Sequence, residues 1–304
     1  MTPSPWLKSP LNYIGGKHKL LPQLLPLFPD DIDLFVDLFA GGCNVGVNAV
    51  AKRVRCADIN SRVIELCRAL QRRPLDAVLA QIDARIAEFG LSKVNEDGYL
   101  RFRAAYNAAP DPVDLYTLAA FSFNYQLRFN AALVFNNPFG RDRSHLSAAM
   151  RRNLVRFVHR IHGAPIVFEV ASFVALDLDK LGPGDFVYCD PPYLITTGNY
   201  NDGSRGFGDW GPQQEAQLLA LLDELHRRGI RFALSNVLTH KGRHNTLLQQ
   251  WATGFRVVDV RSDYANSSYH GKERASVTRE VLVVNYATTK PTAPASSAAP
   301  GAPR

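Results

Sequence analysis

Four consecutive residues in the second half of the chain combine an acid, two prolines and an aromatic ring. Asp190, Pro191, Pro192 and Tyr193 follow an apolar run, 186–189 (FVYC), which predicts a buried strand. The acid therefore lies at a strand's carboxyl end, the edge at which open α/β sheets bind ligands. Its carboxylate and the Pro191 carbonyl are hydrogen-bond acceptors. Together they could hold both N–H groups of an aromatic amine such as adenine N6, with the base stacked on Tyr193.

Taken alone, these four residues could also be a rigid turn after a strand, because Asp and Pro are common in turns. Two further patterns favour a binding site. Residues 33–42 (DLFVDLFAGG) predict an apolar strand that runs into two glycines, where backbone can approach a ligand closely. Residues 53–60 (RVRCADIN) predict a second strand that ends in an acid, Asp58, suited to ribose hydroxyls. This order of elements predicts a nucleotide-type site.

Taken in order, these motifs resemble the Dam-type, or D12 class, family of AdoMet-dependent DNA adenine-N6 methyltransferases. Family members carry a Gly-Gly-Lys segment, an Asp-Leu-Phe-x-Gly-Gly-like loop and Asp-Pro-Pro-Tyr. The matching segments here are 12–17 (NYIGGK), 37–46 (DLFAGGCNVG) and 190–193 (DPPY). Three further segments are similar to the family's DNA-facing hairpin and closing strand, namely 124–130 (NYQLRFN), 135–140 (FNNPFG) and 274–286 (RASVTREVLVVNY). The resemblance spans residues 10–286.

The resemblance implies a Rossmann-like AdoMet-dependent methyltransferase sheet with an inserted, mostly helical target-recognition domain that contains a β-hairpin. It implies methyl transfer from AdoMet (S-adenosyl-L-methionine) to N6 of an adenine flipped out of duplex DNA, without a metal. The implied catalytic residues are Asp190, Pro191, Pro192 and Tyr193. The implied cofactor-binding residues are Tyr13, Lys17, Asp37, Phe39, Ala40, Gly41, Gly42, Asp58, Phe173 and Asp190. Phe173 could equally be a core residue. The implied DNA-binding residues are Arg128, Asn130, Asn137, Arg141 and Arg143.

Three positions depart from the family pattern. Cys43 stands where relatives often have a third glycine in the cofactor loop. Relatives that recognise GATC carry a basic residue at the position of Asn12 and an arginine at the position of Ala132. Arginine is the usual bidentate reader of guanine, and alanine cannot make those bonds. The sequence therefore argues against a GATC target.

The charge balance favours an acidic partner. The chain has 304 residues, a formal net charge of +7 and a pI near 9.3. Six arginines lie between positions 141 and 160 against a single acid, Asp142. A solvated helix face explains them as well as a phosphate-contacting face does, but their position after the hairpin favours phosphate. The arginines are Arg141, Arg143, Arg151, Arg152, Arg156 and Arg160.

Cysteine spacing and the N-terminal residues bear on the compartment. Cys43, Cys56, Cys67 and Cys189 occur singly, with no C-x-x-C pair and no histidine cluster, so neither a zinc site nor a disulfide framework is indicated. Residues 1–10 lack the apolar run of a signal peptide, and no stretch approaches 18 apolar residues. We expect a cytoplasmic, nucleoid-associated protein with reduced thiols.

The elements that must position these residues follow from apolar spacing. A catalytic domain, 10–61 and 161–286, is expected around a target-recognition domain, 62–160, with a disordered tail, 287–304, rich in Ala, Pro, Ser and Thr. Helices are predicted over 63–70, 75–89, 98–108, 113–121, 146–160 and 212–228, and strands also over 166–170 and 231–236. The polar loop 194–211, which contains Trp210, is expected to close over the flipped base.

Four other functions fit parts of the sequence. An RNA adenine-N6 methyltransferase would use much the same chemistry. A cytosine-N4 enzyme is chemically analogous, but Asp190 and the order of motifs favour adenine, and a glutamine-N5 enzyme would more naturally carry Asn there. From a different class, the chain could be a DNA-binding module whose catalysis has decayed, although the intact run 190–193 argues against this. A cognate restriction endonuclease is a candidate partner, and the oligomeric state is open.

Overall fold

The computed structural model of the chain describes residues 5–130, 132–196, 210–261 and 278–288. Three predictions therefore fall wholly or partly outside the described residues. They are the tail from 289 onward, most of the loop 194–211, and the first residues of the closing strand 274–286. Within the described ranges, every helix is too short or too polar to cross a bilayer.

The centre of the described chain is a mostly parallel sheet, which confirms the predicted α/β class. Its strands are β1 (Leu34–Asp37), β2 (Arg53–Asp58), β3 (Ile166–Val170), β4 (Phe186–Cys189), β5 (Arg231–His240), β6 (Arg243–His244), β7 (Arg256–Val260) and β8 (Arg279–Val284). They lie in the order β3-β2-β1-β4-β5-β8-β7, with β6 paired to the end of β5. The first five strands pair in parallel, whereas β8 runs antiparallel between β5 and β7. This topology is consistent with a Rossmann-like methyltransferase sheet.

Eight α-helices accompany the sheet within the described residues. They are α1 (Leu21–Leu24), α2 (Ser61–Arg72), α3 (Leu75–Phe89), α4 (Glu96–Ala108), α5 (Pro112–Phe121), α6 (Ala148–Ile161), α7 (Pro212–Arg227) and α8 (Thr246–Trp251). The six predicted helices are confirmed to within two residues at each end. The sequence reading missed α1, β6, β7, α8 and the last four residues of β5.

Polar side chains fix where the helices begin. The side chains of Asn60, Asp111 and Ser147 each accept a hydrogen bond from a backbone N–H in the first turn of α2, α5 and α6 respectively. Asn60 follows β2 directly, so α2 starts at the carboxyl edge of the sheet. Its positive helix end therefore points toward the edge at which a ligand would bind.

Each face of the sheet is covered by helices, as the alternation of side chains along the strands requires. Phe35 and Phe186 lie in a core that the sheet shares with α2, α3, α5 and α6. Val36 and Val187, one position further along the same strands, lie in a second core with α7. Helices from the predicted insertion thus also pack against the sheet.

A third apolar cluster is built only from residues between 91 and 139. It joins α4 and α5 to the segment in which a β-hairpin was predicted. That segment has backbone hydrogen bonds from Asn130 to Val134 and from Asn136 to Arg128, with one antiparallel bridge between Phe129 and Phe135. The described residues therefore form a short hairpin turn in place of two regular strands.

One buried carboxylate ties α7, β5 and α8 together on the second face of the sheet. Glu215 is fully buried, and its Oε1 accepts hydrogen bonds from Asn236 and Asn245, each at 3.0 Å. Its Oε2 accepts one from Trp210 Nε1 at 2.8 Å. Since a buried donor without an acceptor costs free energy, this side chain supports three elements at once.

We predict that Glu215→Ala lowers the free energy of unfolding by about 3 kcal/mol, because it leaves three donors without their acceptor. Urea denaturation followed by circular dichroism measures the change. Glu224→Ala is the matched control, since Glu224 lies on the same helix in an exposed pair with Arg227, and it should change stability by less than about 0.5 kcal/mol. Equal effects of the two variants would contradict this role of Glu215.

Candidate active site

A cavity of about 730 Å³ opens at the carboxyl ends of β1, β2 and β4. Parallel strands bring their carboxyl ends to one edge of a sheet, which explains why segments far apart in sequence meet here. Every residue that was predicted to bind the cofactor or to act in catalysis lines this cavity. These residues are Tyr13, Lys17, Asp37, Phe39, Ala40, Gly41, Gly42, Asp58, Phe173, Asp190, Pro191, Pro192 and Tyr193.

The loop after β1 brings its backbone close to the cavity. Gly41 has φ +47°, and a Cβ there would lie 2.8 Å from the Tyr13 ring. The Gly41 N–H donates to Asp58 Oδ2 at 2.7 Å, which ties the loop to the end of β2. Cys43 also lies in the left-handed region, with φ 59°. Glycine adopts this region without strain, which gives a physical reason for the third glycine of the relatives.

Asp37 places an unsatisfied carboxylate in the cavity wall. Its Oδ2 accepts a hydrogen bond from the Gly46 N–H at 3.2 Å, whereas its Oδ1 has no partner among the described residues. Burial, together with the nearby charges of Asp190 and Asp58, raises the pKa of Asp37 to about 8. A cationic ligand beside Oδ1 would be attracted to this group and would favour its ionised form.

Asp190 uses its two oxygens differently. Its Oδ1 lies 2.8 Å from Lys17 Nζ, and both side chains are largely buried. Lys17 Nζ also donates to the Gly15 carbonyl at 3.1 Å, so the ammonium is held on two sides. Within the described part of the chain, Asp190 Oδ2 and the Pro191 carbonyl receive no hydrogen bond. Both remain available as acceptors for a ligand in the cavity.

The Tyr193 hydroxyl joins Asp190 to a residue that the sequence reading missed. The hydroxyl oxygen lies 3.1 Å from Asp190 Oδ1 and 3.0 Å from Glu280 Oε1. The ring is 5% exposed, and Lys17 Nζ lies 4.9 Å from its centre. Most of the ring is therefore packed inside the protein, which leaves less open surface for stacking than the sequence suggested.

Three aromatic rings line another part of the cavity. The ring centroid of Phe39 lies 5.5 Å from that of Phe173 and 5.6 Å from that of Trp210, and the last two are 5.7 Å apart. Phe173 therefore both lines the cavity and packs against other rings, so each of the two readings of this residue has a basis. The cluster provides flat apolar surfaces next to Asp58.

Most of the residues that line this cavity belong to a segment that matches a known protein family. The sequence profile described as "D12 class N6 adenine-specific DNA methyltransferase" matches residues 13–266, which include the cavity segments at 13–17, 37–42 and 190–193. The chain belongs to this family. Adenine methyltransferases of this family take the methyl group from AdoMet in general.

Similar proteins include restriction-modification and DNA adenine methylases. The chain is 50% identical over 281 residues to the type II methyltransferase M.FokI of Planomicrobium okeanokoites and 51% identical over 285 residues to the modification methylase StsI of Streptococcus sanguinis. These alignments cover 92% and 93% of this chain but 43% of each relative. The chain thus spans less than half the length of these two proteins. It is also 27% identical over 264 residues to the DNA adenine methylase of Escherichia coli (strain K12), covering 84% of this chain and 89% of that protein.

The structure separates the five residues that were expected to face DNA. Arg128 is half-buried, and its Nε has no partner among the described residues. Asn130 is exposed, with its side chain bonded to the backbone of the hairpin turn. Arg143 is exposed, while Arg141 is paired with Glu96. The expectation that Asn137 faces DNA is corrected, because this residue is 2% exposed. Its amide donates to Ser122, Phe123 and Gln126, so it holds the loop together from inside.

The six arginines between 141 and 160 do not form one free basic face. Arg151 pairs with Asp83, and Arg160 donates to the Val47 carbonyl at 3.0 Å. Arg152 and Arg156 are exposed, like Arg143. The phosphate-contacting reading therefore applies only to part of this series.

Asp37 makes the stability of this family member depend on pH. The folded state holds a proton on Asp37 up to about pH 8, whereas an unfolded aspartate releases it near pH 4. Between these values the folded state binds more protons, so stability falls as the pH rises, by up to about 1.4 kcal/mol per pH unit from this group. We predict that Asp37→Asn weakens this decline.

Urea denaturation at pH 5, 6, 7 and 8 tests this expectation. The advantage of Asp37→Asn over the wild type should grow with pH across this window. Asp33→Asn is the matched control, because Asp33 lies just before the same strand in an exposed pair with Lys52. If the wild type and Asp37→Asn lose stability in parallel, burial does not hold a proton on Asp37.

Proposed function

We propose that this chain transfers a methyl group from AdoMet to N6 of an adenine that has been flipped out of duplex DNA. The observation that carries the proposal is the position of Asp190. One of its carboxylate oxygens is fixed by Lys17, and the other is open toward a cavity that the glycine loop also lines. Membership of the D12 class and the similarity to named methylases support the same activity.

The cavity fits the chemical groups of AdoMet. The unpaired Asp37 oxygen suits a cationic ligand, and Asp58, whose two oxygens each accept only one backbone hydrogen bond, has acceptor capacity left for ribose hydroxyls. Phe39, Phe173 and Trp210 provide surfaces for an aromatic base. We therefore assign Tyr13, Lys17 and the loop 37–42 to the wall of the same cofactor site.

When bound, AdoMet supplies an activated methyl group on a sulfonium, so the protein chiefly has to bind and orient the reactants. Asp190 Oδ2 and the Pro191 carbonyl accept the two N–H groups of the target amine. Holding both N–H groups directs the nitrogen lone pair at the methyl carbon, and the amine proton leaves after the new N–C bond has formed. No residue in this scheme needs a metal ion.

A base stacked in a duplex cannot reach this cavity, so the adenine must leave the helix at a cost of a few kcal/mol. We propose that residues 62–160 present the target-recognition surface, with the cluster between 91 and 139 as its core and the short hairpin at its edge. Arg128 and Arg143, which have no acidic partner among the described residues, are suited to phosphate contacts that offset this cost. Asn137 supports the surface from inside.

The target sequence is expected to differ from GATC, because Asn12 and Ala132 cannot replace two basic readers of guanine. Ala132 is exposed at the hairpin turn, where a reading side chain would stand. The names of two relatives include a type II methyltransferase and a modification methylase. We therefore propose a cognate restriction endonuclease as a partner of this chain. The proposed DNA substrate implies a location at the nucleoid.

We predict that Asp190→Asn lowers methyl transfer at least about 100-fold, because the neutral amide has one acceptor oxygen in place of the two that contact Lys17 and the target amine. Asp190→Ala should abolish transfer while AdoMet binding is partly retained. The measurement is transfer of labelled methyl from AdoMet to unmethylated genomic DNA, with AdoMet affinity from calorimetry. Asp179→Asn, an exposed acid, is the control. Near wild-type transfer by Asp190→Ala would refute the role of Asp190.

Expression in a methylation-free host tests the function as a whole. N6-methyladenine should appear at one recurrent short motif when modified adenines are mapped across the genome. Transfer to duplex DNA should also persist in the presence of excess structured RNA. Absence of any modified adenine, or preferential methylation of the RNA, would contradict the proposed substrate.

We predict that Arg143→Ala weakens binding to duplex DNA and reduces the slope of log affinity against log salt by about one, as loss of one phosphate contact requires. Arg141→Ala should have a smaller effect, since the Arg141 guanidinium is already paired with Glu96. Fluorescence anisotropy with labelled duplex DNA over a salt series gives both slopes. The phosphate assignment fails if the two variants behave alike.

A further inference from the structure

We infer that Glu280 is a positioning residue of the methyl-transfer site, which fixes the Tyr193 hydroxyl and offsets the positive charge of Lys17 at Asp190. The inference rests on the proposed function and adds a residue to it. Glu280 lies in the segment 274–286, which resembles the family's closing strand, but the sequence assigned this residue no role. It is visible only once β8 has been placed in the sheet.

The direction of β8 explains why a glutamate near its start reaches the site. Because β8 runs antiparallel to β5, its first residues lie at the edge where β4 and β5 end. Glu280 pairs with Val237 on β5 and with Val260 on β7, in the interior of the sheet. Its side chain is 2% exposed, while the preceding Arg279 is exposed and pairs with Asp259. A charged side chain is rarely buried at such a position without a specific partner.

Two contacts of Glu280 are with residues of the proposed site. Its Oε1 lies 3.0 Å from the Tyr193 hydroxyl oxygen and 4.0 Å from Lys17 Nζ. Tyr193 and Lys17 are also the two groups that contact Asp190 Oδ1. Glu280 therefore acts on Asp190 through two intermediaries, and these contacts assign it no direct bond to substrate.

The single proton of the Tyr193 hydroxyl determines how Glu280 affects Asp190. The Tyr193 hydroxyl has one proton and can donate it to only one of the two carboxylates at a time. When Glu280 accepts it, Asp190 Oδ1 keeps only the bond from Lys17. Lys17 in turn has two acids within 4.0 Å, so its charge is shared between them. With Glu280 present, Asp190 is therefore a stronger hydrogen-bond acceptor than it would be beside Lys17 alone.

The surroundings of Asp190 agree with this arrangement. Burial raises the pKa of Asp190, Lys17 and the Tyr193 hydrogen bond lower it, and the charge of Glu280 raises it again. The other titratable groups that face Asp190 are Asp37, Tyr188 and Cys189. Removing the charge of Glu280 should therefore make Asp190 ionise at lower pH.

Glu280→Gln tests the inference because the amide oxygen can still accept from Tyr193 while the charge is lost. We expect the acidic limb of the pH profile of kcat/KM to move to lower pH by about one unit. We also expect kcat at pH 8 to fall about tenfold, since the acceptor for the amine is weaker, with the Kd for AdoMet within about threefold of wild type. The assay uses labelled AdoMet and unmethylated genomic DNA, with calorimetry for the Kd.

Two further variants separate charge from packing. Glu280→Asp keeps the charge but withdraws it from Tyr193, whose proton is then free for Asp190 Oδ1, so kcat should fall while the acidic limb moves to lower pH by less than in Glu280→Gln. It carries the test if Glu280→Gln does not fold. Asp259→Asn neutralises an exposed acid on the neighbouring strand and should leave the profile unchanged.

The outcomes distinguish this inference from the proposed function. If the wild-type chain forms no N6-methyladenine in the assay, the proposed function itself fails. If the wild type is active and Glu280→Gln gives the same pH profile and kcat, Glu280 is only a structural residue and the inference is overturned. A loss of AdoMet binding that accounts for the whole loss of activity would overturn it as well.

Discussion

The buried ion pair between Lys17 and Asp190 is the interaction on which the rest of the site depends. Desolvating two charges is costly, and such a pair persists only if geometry and further hydrogen bonds compensate. Here the Gly15 carbonyl and the Tyr193 hydroxyl supply those bonds. The pair joins the N-terminal segment to the end of β4, and it fixes which oxygen of Asp190 is left for a ligand.

The chain separates its charges in space. Its net charge is +7, yet among the described residues the cavity wall contains three aspartates, Asp37, Asp58 and Asp190, and one basic side chain, Lys17. A basic exterior favours a polyanion such as DNA, and an acidic interior favours a cation such as a sulfonium. The two partners of the proposed reaction would thus be attracted to different parts of the molecule by opposite fields. Burial and the like charges of Asp190 and Asp58 raise the pKa of Asp37 for the same reason.

The helices and strands of this fold were largely predictable, because the spacing of apolar residues and the turn residues at the ends of each segment indicate the same elements. Strands such as β4 are short apolar runs next to turn residues, and helices such as α3 follow apolar spacing between a proline and a glycine. The prediction failed where a residue's environment depends on long-range pairing. Asn137 was expected to contact DNA because the segment 135–140 resembles the family's DNA-facing hairpin, but its amide points inward and donates to Ser122.

The residues that line the cavity could also be predicted from sequence, whereas the contacts of Glu280 and Glu215 that support them could not. Asp190 and the glycine loop follow predicted strands, so their meeting at one edge is a consequence of parallel topology. Glu280 could not be placed at the site from sequence, because the apolar sequence of β8 does not reveal that this strand is antiparallel to β5. Trp210 lay in a polar loop, and its place beside Phe39 depends on its bond to Glu215 and its contact with Phe173.

Asn12 connects the cavity to the loop that precedes the hairpin. It lies on the rim of the cavity, and its amide donates to the Asn124 carbonyl at 2.8 Å. Asn124 and Tyr125 both have positive φ, a conformation that costs of the order of 1 kcal/mol for each non-glycine residue. The bond from Asn12 and the bond from the Tyr125 hydroxyl to the Arg143 carbonyl help hold this strained loop in place. The bond from Asn12 uses one of the two N–H donors of its amide, and the residue is exposed. Asn12 therefore links the wall of the cavity to the segment that leads into the short hairpin, and this contact joins the proposed cofactor site to the proposed recognition surface.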